Sequence, residues 1–470
     1  MCDVQVVEER LARVDLREKS LVEQGDLSSN PDADKYEIMC NWLREGGSFF
    51  PKLKFEYYDK DYRGIHAGES IGDEELIISI PQRFIMTTEL ARASEIGRRL
   101  ATTGCIIRSK HSYLACYLLQ ERDRGQQSFW HPYIDCLPVD YKNMPINFDS
   151  DELAYLKGSF SLGKIHQRIQ SLHEEYDCII SSVPEFARFS YEDFSWARHV
   201  VITRIFGIIV GGIKTEGLVP VADLLNHRRP RDTKWTFDTS MNAFTIVSIR
   251  AMVPGEQIFD SYGRKCNSRF FVNYGFSLEE NEDNEAVFTL DIPEADPLYH
   301  NKLALLGRNT SGVSREFQVP ANPRDSKFKE MISFARFAVA NEKEMQRFPS
   351  SYSFVLEDID AISIRNEIDA LRMIKESAQK TLEAFETTVE EDARLLQDPT
   401  LTMNIRNCIL MRKGEKEVAL FFKMLAEQCQ PLLNMSWNEF QLTSQKYSNG
   451  GDLIETYISD VVRPLLRLSI

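Results

Sequence analysis

Three short segments set polar and aromatic groups into otherwise apolar strand-like or turn-like runs, where a side chain can meet a ligand rather than only solvate a surface. Asp61 to Ala67 (DYRGIHA) carries Gly64, whose missing side chain would let backbone approach a bound molecule closely. Leu218 to His227 (LVPVADLLNH) is an apolar run ending in Asp223, Asn226 and His227. Gly255 to Gly263 (GEQIFDSYG) puts the Tyr262 phenol just beyond a strand. Taken singly, each has a purely structural reading: an ordinary turn, a cap or satisfied polar pair, and a core or rim tyrosine. Other chemistries are set aside by spacing. The 8 histidines never fall into HxH or HExxH patterns, so no metal is expected, and phosphate-loop and dinucleotide fingerprints are missing.

The elements that must position these residues follow from changes of hydrophobic period. Lys54 to Pro81 reads as short strands, with Glu75 to Pro81 (ELIISIP) closed by proline. Helical spacing dominates from about Thr88 to Gly211, and Tyr191 to Val210 forms one of its stripes. Strand character returns at Leu218, and Asn242 to Ala251 and Ala286 to Ile292 alternate. After Pro297 the spacing is helical to the end, with a stripe from Ile364 to Phe385, a capping box at Thr388 and Glu391, and breaks at Pro399 and Pro431.

At about 150 residues per domain, 470 residues make two or three domains. Apolar residues at 43% and charged residues at 27% exclude a wholly disordered or fibrous chain. A formal charge of −15, from 56 basic and 71 acidic residues, gives no general attraction to phosphate backbones or anionic lipid. The stretch Val200 to Ile213 is too short to span a bilayer, so neither a membrane nor direct nucleic-acid binding is expected. The 9 cysteines form no CxxC pair, and free thiols are expected. The first thirty residues lack the apolar core of a signal peptide and are too acidic for a transit peptide, which points to the cytoplasm, with the nucleus as the other address.

In order, GI-x-A, then P-x-ADLLNH, then GEQIFDSYG followed by Asn267 and Asn273-Tyr274-Gly275-Phe276 resembles the SET-domain protein methyltransferases. The subclass it resembles contains the Rubisco large-subunit lysine methyltransferase and the actin-histidine methyltransferase. Ser128 to Pro138 (SFWHPYIDCLP), Ser190 to Ala197 (SYEDFSWA) and Thr387 to Glu417 (TTVEEDARLLQ…RKGEKE) are similar to that subclass too, so the resemblance covers about residues 36 to 430. It implies an α+β chain: a β-rich SET fold with a knot-like crossing, split by a helical insert and followed by an all-helical C-terminal domain. The division expected is an N-terminal extension 1–35, SET parts at 36–88 and 214–296, a helical insert 89–213, and a helical substrate-binding domain 297–470.

By that resemblance S-adenosylmethionine would be held by backbone around Asp61 and Arg63, the Arg204 side chain, Asp223 to His227 including Asn226, and Tyr274 to Phe276, and Tyr262 would be the catalytic tyrosine. The first turn departs from the GxG common in relatives, since Tyr62 stands where the first glycine would be. Cys266 is isolated, so no zinc-binding cluster follows Tyr274. Histidine-methylating relatives carry asparagine and tryptophan at the positions of Phe206 and Ala222; here both are apolar, as in the lysine-methylating branch. Phe206 offers no hydrogen bond to an imidazole, and the small Ala222 leaves length for a four-carbon stem. The expected activity is protein-lysine N-methylation of a non-histone protein by a monomer. Histidine methylation is the alternative, and an inert cofactor-binding scaffold is the alternative of another class. The partner expected is a protein, with a basic segment that Glu390, Glu391, Asp392 and the Glu279 to Glu285 run could meet; a solvated acidic face is the simpler account of those charges.

Overall fold

The computed structural model describes residues 33–58, 63–103, 107, 109–306, 313–348, 358–444 and 453–468. Compactness divides the chain into two units, one of residues 1–141 and 170–264, the other of 142–169 and 265–470.

In the first unit β1 (Leu53–Tyr57) pairs antiparallel with β2 (Arg63–Ala67). β3 (Leu76–Pro81) lies along β9 (Ala243–Ser248), which also pairs β8 (Thr233–Asp238). β4 (Met86–Thr87) and β5 (Ile205–Val210) flank β6 (Ile213–Leu218). Among the described residues the one parallel pairing joins β7 (Asn226–His227) to β10 (Phe259–Asp260), with His227 opposite Asp260. In the β3/β9 pair Ile78, Ile80, Phe244 and Ile246 are fully buried on one face, and Ile77, Ser79 and Thr245 are buried on the other, so the pair is covered on both sides.

Helical spacing was expected to run to Gly211, but the helix Tyr191–Arg204 stops at Ile205, which turns extended, and β5 and β6 follow as a hairpin. Gly211 and Gly212, at φ +57° and +82°, supply the two-residue turn that needs positive φ at both positions. A short apolar run such as IFGIIV fits a buried helix or a strand equally; the Gly-Gly pair was the deciding signal.

In the second unit the C-terminal region is helical with one exception. β12 (Val313–Pro320) pairs antiparallel with β11 (Glu285–Ile292) along its whole length, burying Phe317 and Val319 on one side. Alternation over so few residues is hidden among helices. The long helix Met403–Leu433 continues through Pro431. A proline in the closing turn removes little, because the chain is about to leave the helix. Thr388 and Glu391 form the expected capping box. One core of aromatic and aliphatic side chains, including Phe288, Phe328, Phe334 and Phe422, unites β11, β12 and these helices.

Cys40, Cys116, Cys136, Cys266, Cys408 and Cys429 are free and buried. Cys178 is disulfide-bonded, contrary to the expectation of free thiols throughout. Among the described residues no helix is long and apolar enough to cross a membrane, and no group of three His, Cys, Asp or Glu could hold a metal ion.

Candidate active site

The parallel step of β7 beside β10 draws the second and third sequence segments together. The Tyr262 backbone N–H donates to His227 Nδ1 at 3.0 Å, and the two rings stack with centroids 5.2 Å apart. His227 Nδ1 is therefore an acceptor, which fixes its tautomer and makes it a brace for Tyr262. The Tyr262 hydroxyl donates to the Leu225 carbonyl at 2.9 Å. Its proton is thus committed to that carbonyl.

The first segment joins through Asn226, whose Nδ2 donates to the Arg63 carbonyl at 2.8 Å. Arg63 is turned toward the helix Ala33–Glu45, with Nε donating to the Tyr36 hydroxyl at 2.9 Å. Gly64 lies in β2 opposite Glu56 and not in a turn. A side chain there would collide with the Gln257 amide and the Tyr58 hydroxyl, so the glycine makes room for the protein's own groups. Asp61 lies outside the described residues.

Arg204 and Asp223 meet at the end of the helix Tyr191–Arg204. Arg204 Nη1 reaches Asp223 Oδ2 at 3.1 Å and its carbonyl at 3.3 Å, and the Tyr133 hydroxyl donates to the same Oδ2 at 2.8 Å. Burial pulls the guanidinium pKa down, but Asp223, with Tyr141 and Tyr133, outweighs it and raises it overall, so Arg204 stays charged. Desolvation and the adjacent Asp223 carboxylate raise Tyr133 well above the usual phenol value. The Asp223 side chain is 0% exposed, yet its Oδ1 and the Arg204 Nε have no partner. Buried polar atoms of a charged pair left unmet are costly, and here one offers a cationic donor and the other an anionic acceptor. That is the complement of an amino-acid zwitterion, so these residues fit the amino-acid end of S-adenosylmethionine.

Just before Asp223, Val221 adopts φ +68° while fully buried, a conformation that a β-branched residue rarely takes. The Asp223 N–H bond to the Val219 carbonyl and the Leu224 N–H bond to the Val221 carbonyl hold it there. Such strain collects where geometry serves binding. Ala222 follows, 1% exposed. Phe206, half-buried in β5, sets its ring edge-on to Trp235 and Phe244, at 5.5 and 5.0 Å between centroids.

Tyr274 and Phe276 belong to the second unit. Each lies near Phe270, with centroids 6.2 and 5.1 Å away, and burial raises the Tyr274 phenol pKa. Three of the acidic residues considered for a basic peptide have partners inside the protein. Asp392 is fully buried and paired with Arg412 and Lys416, Glu391 caps its own helix, and Glu285 pairs with Lys327. These carboxylates answer the protein's own charges.

Tyr133, Tyr36 and Trp235 went unread as site residues. Tyr133 sits inside the quoted segment SFWHPYIDCLP, and Trp235 inside an alternating strand, where a large ring looks like core.

Comparison with known proteins accords with this arrangement. Residues 62–263 match the SET domain family, and residues 293–418 match the family described as Rubisco LSMT substrate-binding. Actin-histidine N-methyltransferases of Homo sapiens and Gallus gallus are each 27% identical over 403 residues, covering 82% of this chain and 67% of theirs. Two solved structures share the fold. The SET domain of LSMT bound to lysine and AdoHcy superposes with a TM-score of 0.71 at 21% identity, and Rubisco LSMT bound to AdoMet with 0.69 at 21%; both cover 89% of this chain and 97% of theirs. The chain therefore carries a SET domain over residues 62–263, followed over residues 293–418 by a Rubisco LSMT substrate-binding region.

Proposed function

We propose that this chain is an S-adenosylmethionine-dependent protein N-methyltransferase whose acceptor is a lysine side chain. The observation that carries the reading is the unmet pair of buried atoms, Arg204 Nε at a helix end and Asp223 Oδ1 in the same loop as the carbonyl that anchors the Tyr262 hydroxyl. When bound, the cofactor supplies an electrophilic methyl group on a sulfonium. Arg204 and Asp223 would hold its carboxylate and ammonium, and the Asn226 bond to Arg63 keeps the β2 backbone in place.

The remaining task is alignment of a nucleophilic nitrogen. A lysine of pKa about 10.4 must lose its proton, at about 4 kcal/mol near pH 7.4. Apolar walls at Phe206 and Ala222 disfavour the charged amine and so offset part of that cost. The Tyr262 oxygen, its proton already given to Leu225, accepts from the amine and orients its lone pair. The Tyr262 bond to His227 and the Asn226 bond to the Arg63 carbonyl speak against an inert scaffold.

Histidine methylation is the second reading, favoured by the names of the relatives at 27% identity. Lysine is favoured by the pocket, since neither Phe206 nor Ala222 can bond an imidazole and set its tautomer. The C-terminal region, 297–470, is proposed to select the protein substrate. The test is to incubate the purified chain and Tyr262→Phe with methyl-labelled S-adenosylmethionine and cell extract, then map modified peptides by mass spectrometry. Label on lysine, sharply reduced in the variant, is expected. Label on histidine would transfer the proposal to the second reading, and no label would leave the scaffold.

A further inference from the structure

Phe206 does not stand alone beside the candidate site. Trp235 in β8 and Phe244 in β9 stack on one another at 5.8 Å with a 22° tilt, and the Phe206 ring meets both edge-on. The register explains the wedge: Trp235 opposes Ile246, Phe237 opposes Phe244, and all four point to one face of the antiparallel pair. Phe244 is fully buried and cannot move, whereas Trp235 is half-buried on an edge strand. Strand β8 has a second hold: the Thr233 hydroxyl, two residues before Trp235 and on the same face, reaches the Phe259 carbonyl and the buried Asp260 carboxylate, each at 3.2 Å.

Asp260 connects this aromatic wedge to the chemistry. It pairs across β7 and β10 with His227, precedes Tyr262 by two positions, and receives the Thr233 hydroxyl at 3.2 Å. Strand β8 therefore sets Trp235 against the apolar wall at Phe206 and Thr233 against the strand that presents Tyr262.

We infer that Trp235 is a positioning residue for acceptor selection, fixing the Phe206 ring at an angle referenced through Thr233 and Asp260 to the Tyr262 strand. The inference rests on the methyl-transfer reading and adds to it the element that sets the slot's width. A wall free to rotate would admit the amine in more poses, lowering the fraction aligned for transfer without touching the Arg204 and Asp223 groups.

The test compares wild type, Trp235→Leu and Trp235→Phe. Each is incubated with methyl-labelled S-adenosylmethionine and the same cell extract, after which total protein is acid-hydrolysed and labelled methyllysine and methylhistidine are separated. Cofactor affinity is measured in parallel by calorimetry. Trp235→Leu removes the ring, and is expected to lower labelled methylamino acid about tenfold or more with cofactor affinity within twofold. Trp235→Phe keeps a smaller ring against Phe206 and Phe244, and about a threefold loss is expected. If Trp235→Leu does not fold, the Trp235→Phe result decides. Transfer unchanged in the folded variants, or transfer and cofactor affinity falling in equal proportion, overturns the inference while leaving the functional reading intact. A wild-type chain that transfers no label overturns both.

Discussion

The two units treat buried charge in opposite ways. In the second, Asp392 receives Arg412, Lys416 and the Thr387 hydroxyl, Arg412 also reaches the Tyr155 carbonyl, and Lys416 also reaches the carbonyls of Thr387 and Thr388. Every polar atom of that cluster is answered, so its role is to tie a short helix to a long one. In the first, Arg204, Asp223 and Tyr133 are equally buried but leave a donor and an acceptor unmet. A closed network specifies structure, whereas an open one marks where another molecule completes it.

The comparison can be broken at either end. The largest effect is expected from Asp392→Ala, which strands two cations in the second unit and should cost about 3–5 kcal/mol in urea unfolding. A loss under about 1 kcal/mol would mean that the closed cluster is not structural. In the first unit, Arg204→Met with Asp223→Leu and Tyr133→Phe replaces the open cluster by apolar groups. Melting temperature should hold or rise, because unmet polar atoms are gone, while S-adenosylmethionine affinity drops about 100-fold or more. A variant that melts much earlier would show the cluster to be structural as well.

Tyr262→Phe sharpens the division of labour within the first unit. Transfer should fall about 10- to 100-fold in single-turnover assays with cofactor affinity little changed, since the hydroxyl orients the acceptor and not the cofactor. The smallest effect concerns pH. Burial raises the Glu415 pKa to about 8, partly countered by the Ser159 and Ser161 hydroxyls at 2.9 Å. A carboxyl protonated in the folded state but ionised in the unfolded one, where its pKa is about 4.3, makes stability fall as pH rises from that value to about 8. Glu415→Gln removes this slope, so between pH 6 and 8 wild type should lose about 2 kcal/mol more than the variant in chemical unfolding.

The fold class was legible in the sequence, while the site was legible only in part. The resemblance brings Asn226-His227 and Tyr262 together, and the Tyr262 N–H does bond to His227. Phe206 lies in β5 and Ala222 just before Asp223, and the partners of Phe206 were not visible. Tyr133 lies 90 residues from Asp223, and Trp235 is separated from Phe206 by a hairpin and a loop. Such contacts depend on tertiary pairing that local spacing does not encode. Strand β5 was read as helix because a run of apolar residues carries no period of its own, and β12 because eight residues between helices offer too little alternation. The acidic residues Glu391 and Asp392 looked like surface charge; a capping box and a buried cluster absorb them.

Calorimetric titration of the purified chain with S-adenosylmethionine, alongside the triple replacement at Arg204, Asp223 and Tyr133, addresses the open cluster most directly. Saturable one-to-one binding by wild type and none by the still-folded variant is the predicted result. Absence of binding to folded wild type, or equal binding to both, would contradict it.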